Sequence, residues 1–266
     1  MERAGGSFTE RAAFPALRAD GRPSLIGHRG CAAERPENTL FAIEAAAGVV
    51  DAVEIDVRRC GTGELVVIHD ASLGRLTDSS GSVGDLDCAT VRSANVLGTD
   101  ETVPLLAETF EAAPDSLGLV LELKEPGLAG DVIDLARRSA NEVLLASFRR
   151  EVLEEVRSID RSIPLAYTVR ESRRNRFLRP AIPGSPAWLY FPENVDRMIE
   201  IARRYDCTSI HPRYELCLRT TLVERAHDVG IRVAPWTIDS IAEYEALAEV
   251  GVDAVVTDVC SGLSTE

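Results

Sequence analysis

Nine short apolar runs, rich in β-branched residues, recur along this chain at residues 24–27, 52–56, 65–69, 119–123, 143–147, 164–168, 207–211, 231–236 and 253–257. Between most of them apolar residues return at helical spacing, over 40–48, 130–140, 150–159, 195–205, 220–229 and 241–250. Such alternation builds βαβ units around a parallel sheet. A (β/α)8 TIM barrel takes about 250 residues, so 266 residues predict one barrel domain. An open doubly wound sheet is the alternative. It gathers its polar strand ends at one switch point, whereas here they spread over four successive runs. Nine runs for eight barrel places leave one surplus. The gap between Asp56 and Leu65 is too short for a parallel crossover, which needs a dozen or more residues. The barrel is therefore expected to be irregular around strands 2 and 3, with the turn Cys60-Gly61-Thr62-Gly63 making a hairpin-like link where a helix is missing.

The punctuation agrees with the periodicity. Asn38 or Thr39 can cap the first helix, and Gly230 and Gly251 close two others. Residues 1–23 read as an N-terminal surface arm and 24–266 as the barrel domain. The Ser-, Gly- and Asp-rich stretch 71–102 reads as a long loop over the barrel mouth. A basic cluster of Arg170, Arg173, Arg174, Arg176 and Arg179, followed by three prolines, reads as a solvated lid or an anion-docking surface.

Composition narrows the partners. A net charge of -14 repels a phosphate backbone and argues against nucleic acid. No window approaches the roughly 18 uninterrupted apolar residues of a membrane span, and the first 24 residues lack the apolar core of a secretory signal, so a cytoplasmic protein is expected. The acidic, lysine-poor balance suits a salt-rich cytoplasm, where screening relieves self-repulsion. Six cysteines, at 31, 60, 88, 207, 217 and 260, include no C-x-x-C pair and are expected to be free thiols with no zinc site. Oligomeric state is not readable.

Four groups of ionisable residues stand at the ends of apolar runs, where barrel enzymes keep their chemistry: His28-Arg29, Glu54-Ile55-Asp56, His69-Asp70 and Glu122-Leu123-Lys124. In a strand, residues i and i+2 share a face, so Glu54 and Asp56 point together, as do Glu122 and Lys124. If they face the barrel interior, Glu54, Asp56 and Glu122 make an all-oxygen site for a hard divalent cation, Mg²⁺ or Ca²⁺. His28 and His69, bracketing the E-x-D, suit proton transfer near neutrality. Arg29 and Lys124 suit phosphate oxygens, and Lys124 is the only lysine among 29 basic residues. His211 and His227 lack such companions and read as structural, while Trp236, apolar and on a strand, reads as core.

The strings His28-Arg29-Gly30, Arg35-Pro36-Glu37-Asn38-Thr39, Val53-Glu54-Ile55-Asp56-Val57 and Val67-Ile68-His69-Asp70, then Leu73, Arg75, Thr77 and Gly81, with Leu121-Glu122-Leu123-Lys124, Ser147-Phe148, Trp236-Thr237 and the closing 251–258, resemble the glycerophosphodiester phosphodiesterase family in order over residues 24–258. The resemblance implies a (β/α)8 barrel and a divalent cation held by Glu54, Asp56 and Glu122. It further implies His28 and His69 as the acid/base pair, Arg29 and Lys124 on phosphate, and Trp236 as an aromatic wall for glycerol. The implied reaction is hydrolysis of a small glycerophosphodiester to glycerol phosphate and an alcohol. A phospholipase acting on lysophospholipids or phosphoinositides, or a non-catalytic phosphate-binding barrel, are the alternatives.

Overall fold

The computed structural model describes residues 18–169 and 195–263. The basic cluster at 170–179 and residues 1–17 of the expected arm lie outside the described residues. Eight parallel strands form the sheet: β1 (Ser24–His28), β2 (Ala52–Arg59), β4 (Gly118–Leu123), β5 (Val143–Ser147), β6 (Leu165–Thr168), β7 (Ser209–His211), β8 (Arg232–Val233) and β9 (Ala254–Thr257). Their order is β8-β7-β6-β5-β4-β2-β1-β9. The seam between β8 and β9 is bridged by Asp253 N–H to Val233 O at 3.0 Å and Val256 N–H to Pro235 O at 2.9 Å. All nine expected strands are present. The surplus one, β3 (Leu65–Val67), pairs antiparallel with β2 in the register Val57↔Val67, as the short link at 60–63 requires.

Alternation along each strand divides the core in two. Outward-facing Val53, Ile55 and Val57 of β2, with Leu119, Leu121 and Leu123 of β4, pack under the helices in the main cluster. Inward-facing Ile26, Ala52, Val120, Leu144, Ala166, Ala234 and Ala254 form a second, smaller cluster inside the barrel. Two residues further along these same inward faces come His28, Glu54, Glu122 and Trp236. The barrel's apolar floor thus sets the polar residues at the carboxyl ends of the strands.

The six expected helices form within a few residues of their predicted ends, and the shorter ones Cys88–Arg92, Leu106–Ala112 and Tyr214–Arg219 were not anticipated. Thr39, not Asn38, caps Leu40–Ala46, its hydroxyl accepting from Ala42 N–H. The stretch after His69 is not an open loop. It folds over its own small core of Leu73, Leu76, Val83, Val91, Val96 and Val103, because those apolar residues, too widely spaced for any helix or strand pattern, meet only after the chain turns back on itself. Ahead of β1, Arg18 pairs with Asp51 and Pro23 O accepts from Tyr244 OH at 2.9 Å. Among the described residues no helix is long and apolar enough to cross a membrane.

The cysteines depart from expectation. Cys31 and Cys260 form a disulfide across 229 residues of sequence, and four cysteines remain free. Barrel closure places β9 beside β1, so the segments following both strands run together and their sulfurs meet over Gly27. A Cβ on Gly27 would lie 2.9 Å from Cys31 Sγ and 3.2 Å from Cys260 Sγ. Sequence spacing carries no trace of that meeting.

Candidate active site

The turn after β1 begins the site. Arg29, Gly30 and Cys31 all have positive φ, a left-handed run that only Gly30 adopts without strain. A side chain at Gly30 would strike Ala42 Cβ at 2.7 Å, so the turn presses directly on the first helix. This conformation aims Arg29 N–H at Glu54 Oε2, 3.2 Å away, and swings the guanidinium onto Glu37 (2.8 Å) and Asp56 (3.3 Å). Asn38, also left-handed, donates to Asp56 Oδ2 at 2.9 Å and accepts from Asp56 N–H at 3.1 Å. That pairing explains why it does not cap the helix.

Register places the acidic residues side by side: His28 pairs with Glu54, and Asp56 with Glu122. Oxygens of Glu54, Asp56 and Glu122 lie within 4.8 Å of one another, and all three residues are buried. Lys124 Nζ sits 2.7 Å from Asp56 Oδ1 and also contacts Glu122. Burial pushes the Glu54 carboxyl up to about 8, with neighbouring Asp56 adding to the rise. Burial raises Glu122 too. Burial would also raise Asp56, but Lys124 and Arg29 outweigh it and hold that group well below the usual carboxylate range. Burial opposes the charge of Lys124, yet Asp56 and Glu122 together keep its pKa above the ordinary lysine value. Glu54 Oε1 is buried without a hydrogen-bond partner. Three crowded carboxylates, Glu54 among them with an unpartnered oxygen, fit a hard divalent cation. These residues could hold one.

Each imidazole at the site is anchored through Nδ1 by a carboxylate. His28 meets Asp258 at 2.7 Å, with its Nε2 3.8 Å from Glu54, and His69 meets Asp70 at 2.6 Å. Burial disfavours charge on His28, but the Asp258 hydrogen bond and Glu54 overcome it and raise its pKa. His69 is lowered by burial, reinforced by Lys124 and Arg29, against the pull of Asp56. The His69 carbonyl accepts from Arg58 Nε at 2.9 Å, which ties this short loop to β2. Arg75 bridges Asp70 and Glu37, joining the anchors of the two histidine loops.

The opposite side is aromatic. Lys124 Nζ lies 5.9 Å from the Phe148 ring, Phe148 meets Trp236 edge to face at 5.6 Å, and the Arg213 guanidinium lies 5.4 Å from the Trp236 ring. Trp236 is only partly buried, packing on the inner cluster and donating its indole N–H to His211 O at 2.9 Å. His28, Arg29, Glu54, Asp56, Glu122 and Lys124 thus share one network, His69 feels its charges, and Trp236 faces it across Phe148. Reasoning from residue types passed over Asp258, Glu37, Asn38, Asp70, Arg75 and Phe148. Only Asp70, adjacent to His69, carried a local signal; the others stand inside the matching strings but are assigned work by the folded chain.

The sequence matches the model of the glycerophosphoryl diester phosphodiesterase family over residues 28–261. This chain belongs to that family. Its activity, hydrolysis of a phosphoric diester of glycerol, agrees with the carboxylate-anchored imidazoles and anionic cluster described above. The chain is 28% identical over 249 residues to a glycerophosphodiester phosphodiesterase of Caldanaerobacter subterraneus, covering 88% of this chain and 93% of that one. A lysophospholipase D of Rattus norvegicus is 26% identical over 258 residues, with 88% and 82% covered. Among solved structures, an Oleispira antarctica phosphodiesterase in complex with the product sn-glycerol-3-phosphate superposes with a TM-score of 0.74 at 26% identity, covering 92% and 96% of the two chains.

Proposed function

We propose that this protein hydrolyses glycerophosphodiesters to glycerol phosphate and an alcohol, using His28 and His69 as its acid/base pair. The observation that carries the reading is the pair of imidazoles, each oriented by its own carboxylate, near a buried three-carboxylate cluster whose charges both of them feel. A phosphate binder needs cations but no second proton-transfer group. Glu54, Asp56 and Glu122 would hold Mg²⁺ or Ca²⁺, which when bound supplies positive charge for the phosphate oxygens. Arg29 and Lys124 extend that positive surface as substrate enters. One histidine takes a proton from the nucleophile, a water or the substrate's own glycerol hydroxyl. The other gives a proton to the departing alcohol oxygen, so the protons balance over the turnover. Trp236 and Phe148 offer an apolar wall to the glycerol carbons.

A panel of phosphodiesters with a glycerol phosphate readout, run with and without EDTA, tests the assignment. Glycerol phosphate released from glycerophosphocholine supports it, and silence on every diester refutes it. Release of choline from a lysophospholipid is the second reading, favoured by the similarity to the rat lysophospholipase D, and a lysolipid in the panel separates the two. We place residues 1–23 outside the catalytic barrel, as a surface arm. Four free thiols favour a cytoplasmic location and the Cys31–Cys260 disulfide opposes it, so fractionation with thiol trapping decides. The acidic surface is read as an adaptation to salt. Melting in molar KCl should occur above melting in dilute buffer, and an unchanged midpoint would remove that reading.

A further inference from the structure

A second cluster of ligand-type side chains lies away from this site, where β2 turns into β3. Cys60 N–H donates to Glu64 O at 3.0 Å and Gly63 N–H to Cys60 O at 3.0 Å, which closes the turn. The turn is pressed onto the excursion that follows His69. Gly61 N–H donates to Leu86 O at 2.7 Å, and a Cβ at Gly61 would lie 2.9 Å from the backbone of both Asp85 and Leu86. Cys88 N–H then donates to Thr62 Oγ1 at 3.0 Å. The consequence is that Cys60 Sγ, Cys88 Sγ and a Glu64 carboxylate oxygen stand within 4.8 Å of one another, with Cys60 Sγ 3.2 Å from Glu64 Oε2. Cys60 is buried, Cys88 half-buried and Glu64 exposed, so the cluster opens to solvent on one side.

We propose that Cys60, Glu64 and Cys88 form a binding site for one thiophilic divalent cation of the zinc class. Bond lengths of about 2.3 Å to sulfur and 2.0–2.2 Å to oxygen put neighbouring ligands of a tetrahedral ion about 3.6–3.8 Å apart, within reach of this cluster by small side-chain adjustments. Two sulfurs and one oxygen select a borderline-soft ion, whereas the oxygen-only cluster of Glu54, Asp56 and Glu122 selects a hard one. The two sites therefore sort cations by ligand softness within one chain. On binding, both thiols release their protons to solvent and the fourth position takes water. The bound ion joins the hairpin, whose β2 strand carries Glu54 and Asp56, to the excursion beside the mouth.

Cobalt(II) is the probe. The full chain, with its free thiols reduced and its disulfide intact, is titrated in excess Mg²⁺ under anaerobic conditions. The expected result is thiolate-to-cobalt charge-transfer absorption that saturates at one ion per chain. Cys88→Ser, at a half-buried position, should lose about half of that absorption and bind more than about tenfold more weakly. Glu64→Gln, at an exposed position, should keep the absorption and bind about tenfold more weakly. Zn²⁺ should raise the melting midpoint of the wild type more than that of Cys88→Ser, while phosphodiesterase turnover in Mg²⁺ stays the same in both. Absence of the absorption in the wild type, or its full intensity in Cys88→Ser, overturns the site.

Discussion

His28 and His211 end inward-facing strands of the same barrel, yet their surroundings drive them in opposite directions. His28, on β1, has Asp258 on Nδ1 and Glu54 beyond Nε2, and its pKa is raised despite burial. His211, on β7, has Ser209 Oγ 3.2 Å from Nε2, and burial lowers its pKa to about 4. The wall formed by β1, β2 and β4 is built of charges that need one another. The wall formed by β6 and β7 is neutral, with Thr168, Ser209 and His211 all buried. An imidazole's hold on its proton is thus set by the carboxylates around it, and burial by itself only weakens it.

Four experiments can break or sharpen this contrast. The largest effect should come from the charged wall itself: EDTA, or Glu54→Gln, removes interactions worth several kcal/mol in the transition state and should lower turnover by about 10³-fold or more. An enzyme indifferent to chelation refutes the oxygen site. Next, His28→Ala and His69→Ala should each lose about 10² to 10⁴ in kcat with circular dichroism unchanged. His211→Gln should stay within a few-fold of wild type, and equal losses at all three positions would erase the distinction between the walls.

The remaining two concern stability. Reducing the Cys31–Cys260 disulfide opens a loop closed across 229 residues and should cost about 3–5 kcal/mol in denaturant unfolding. Because Cys31 follows His28 by three positions and Cys260 follows Asp258 by two, kcat should fall with it if the bond helps hold that pair. A midpoint unmoved by reductant would show that the bond does not form in solution. The smallest effect belongs to the neutral wall. His211 has a folded pKa below its unfolded value near 6.5, so the unfolded chain takes up the proton first. Its contribution is intact above pH 6.5 and is lost as pH falls toward 4, by about 3 kcal/mol. His211→Gln should flatten that part of the stability-versus-pH curve, and an unaltered slope would place the titration elsewhere.

Much of the site is legible along the chain because its groups sit on strands. Glu54, Asp56 and Ala52 share a face by strand periodicity alone, and a short link after Asp56 already demands the hairpin that carries the chain toward His69. What was hidden arises between segments far apart. Asp258 is 230 residues from His28, and nothing in Thr257-Asp258 marks it as an imidazole's partner. The helix Leu106–Ala112 has an apolar face too short for its period to stand out, and it forms against the barrel, where its buried Leu106 and Thr109 find partners. The pairing of Cys31 with Cys260 and the convergence of Cys60, Glu64 and Cys88 are of the same kind.

The sequence by itself determined the barrel, which charged residues share a strand face and the chemical type of the site, because apolar periodicity and i, i+2 alternation are local properties. Only the tertiary structure decided which imidazole has a carboxylate behind it, which sulfurs meet and which carboxylate oxygen is left without a partner. Those follow from barrel closure, which brings first and last strands together and turns side chains distant in the chain into neighbours a few ångströms apart.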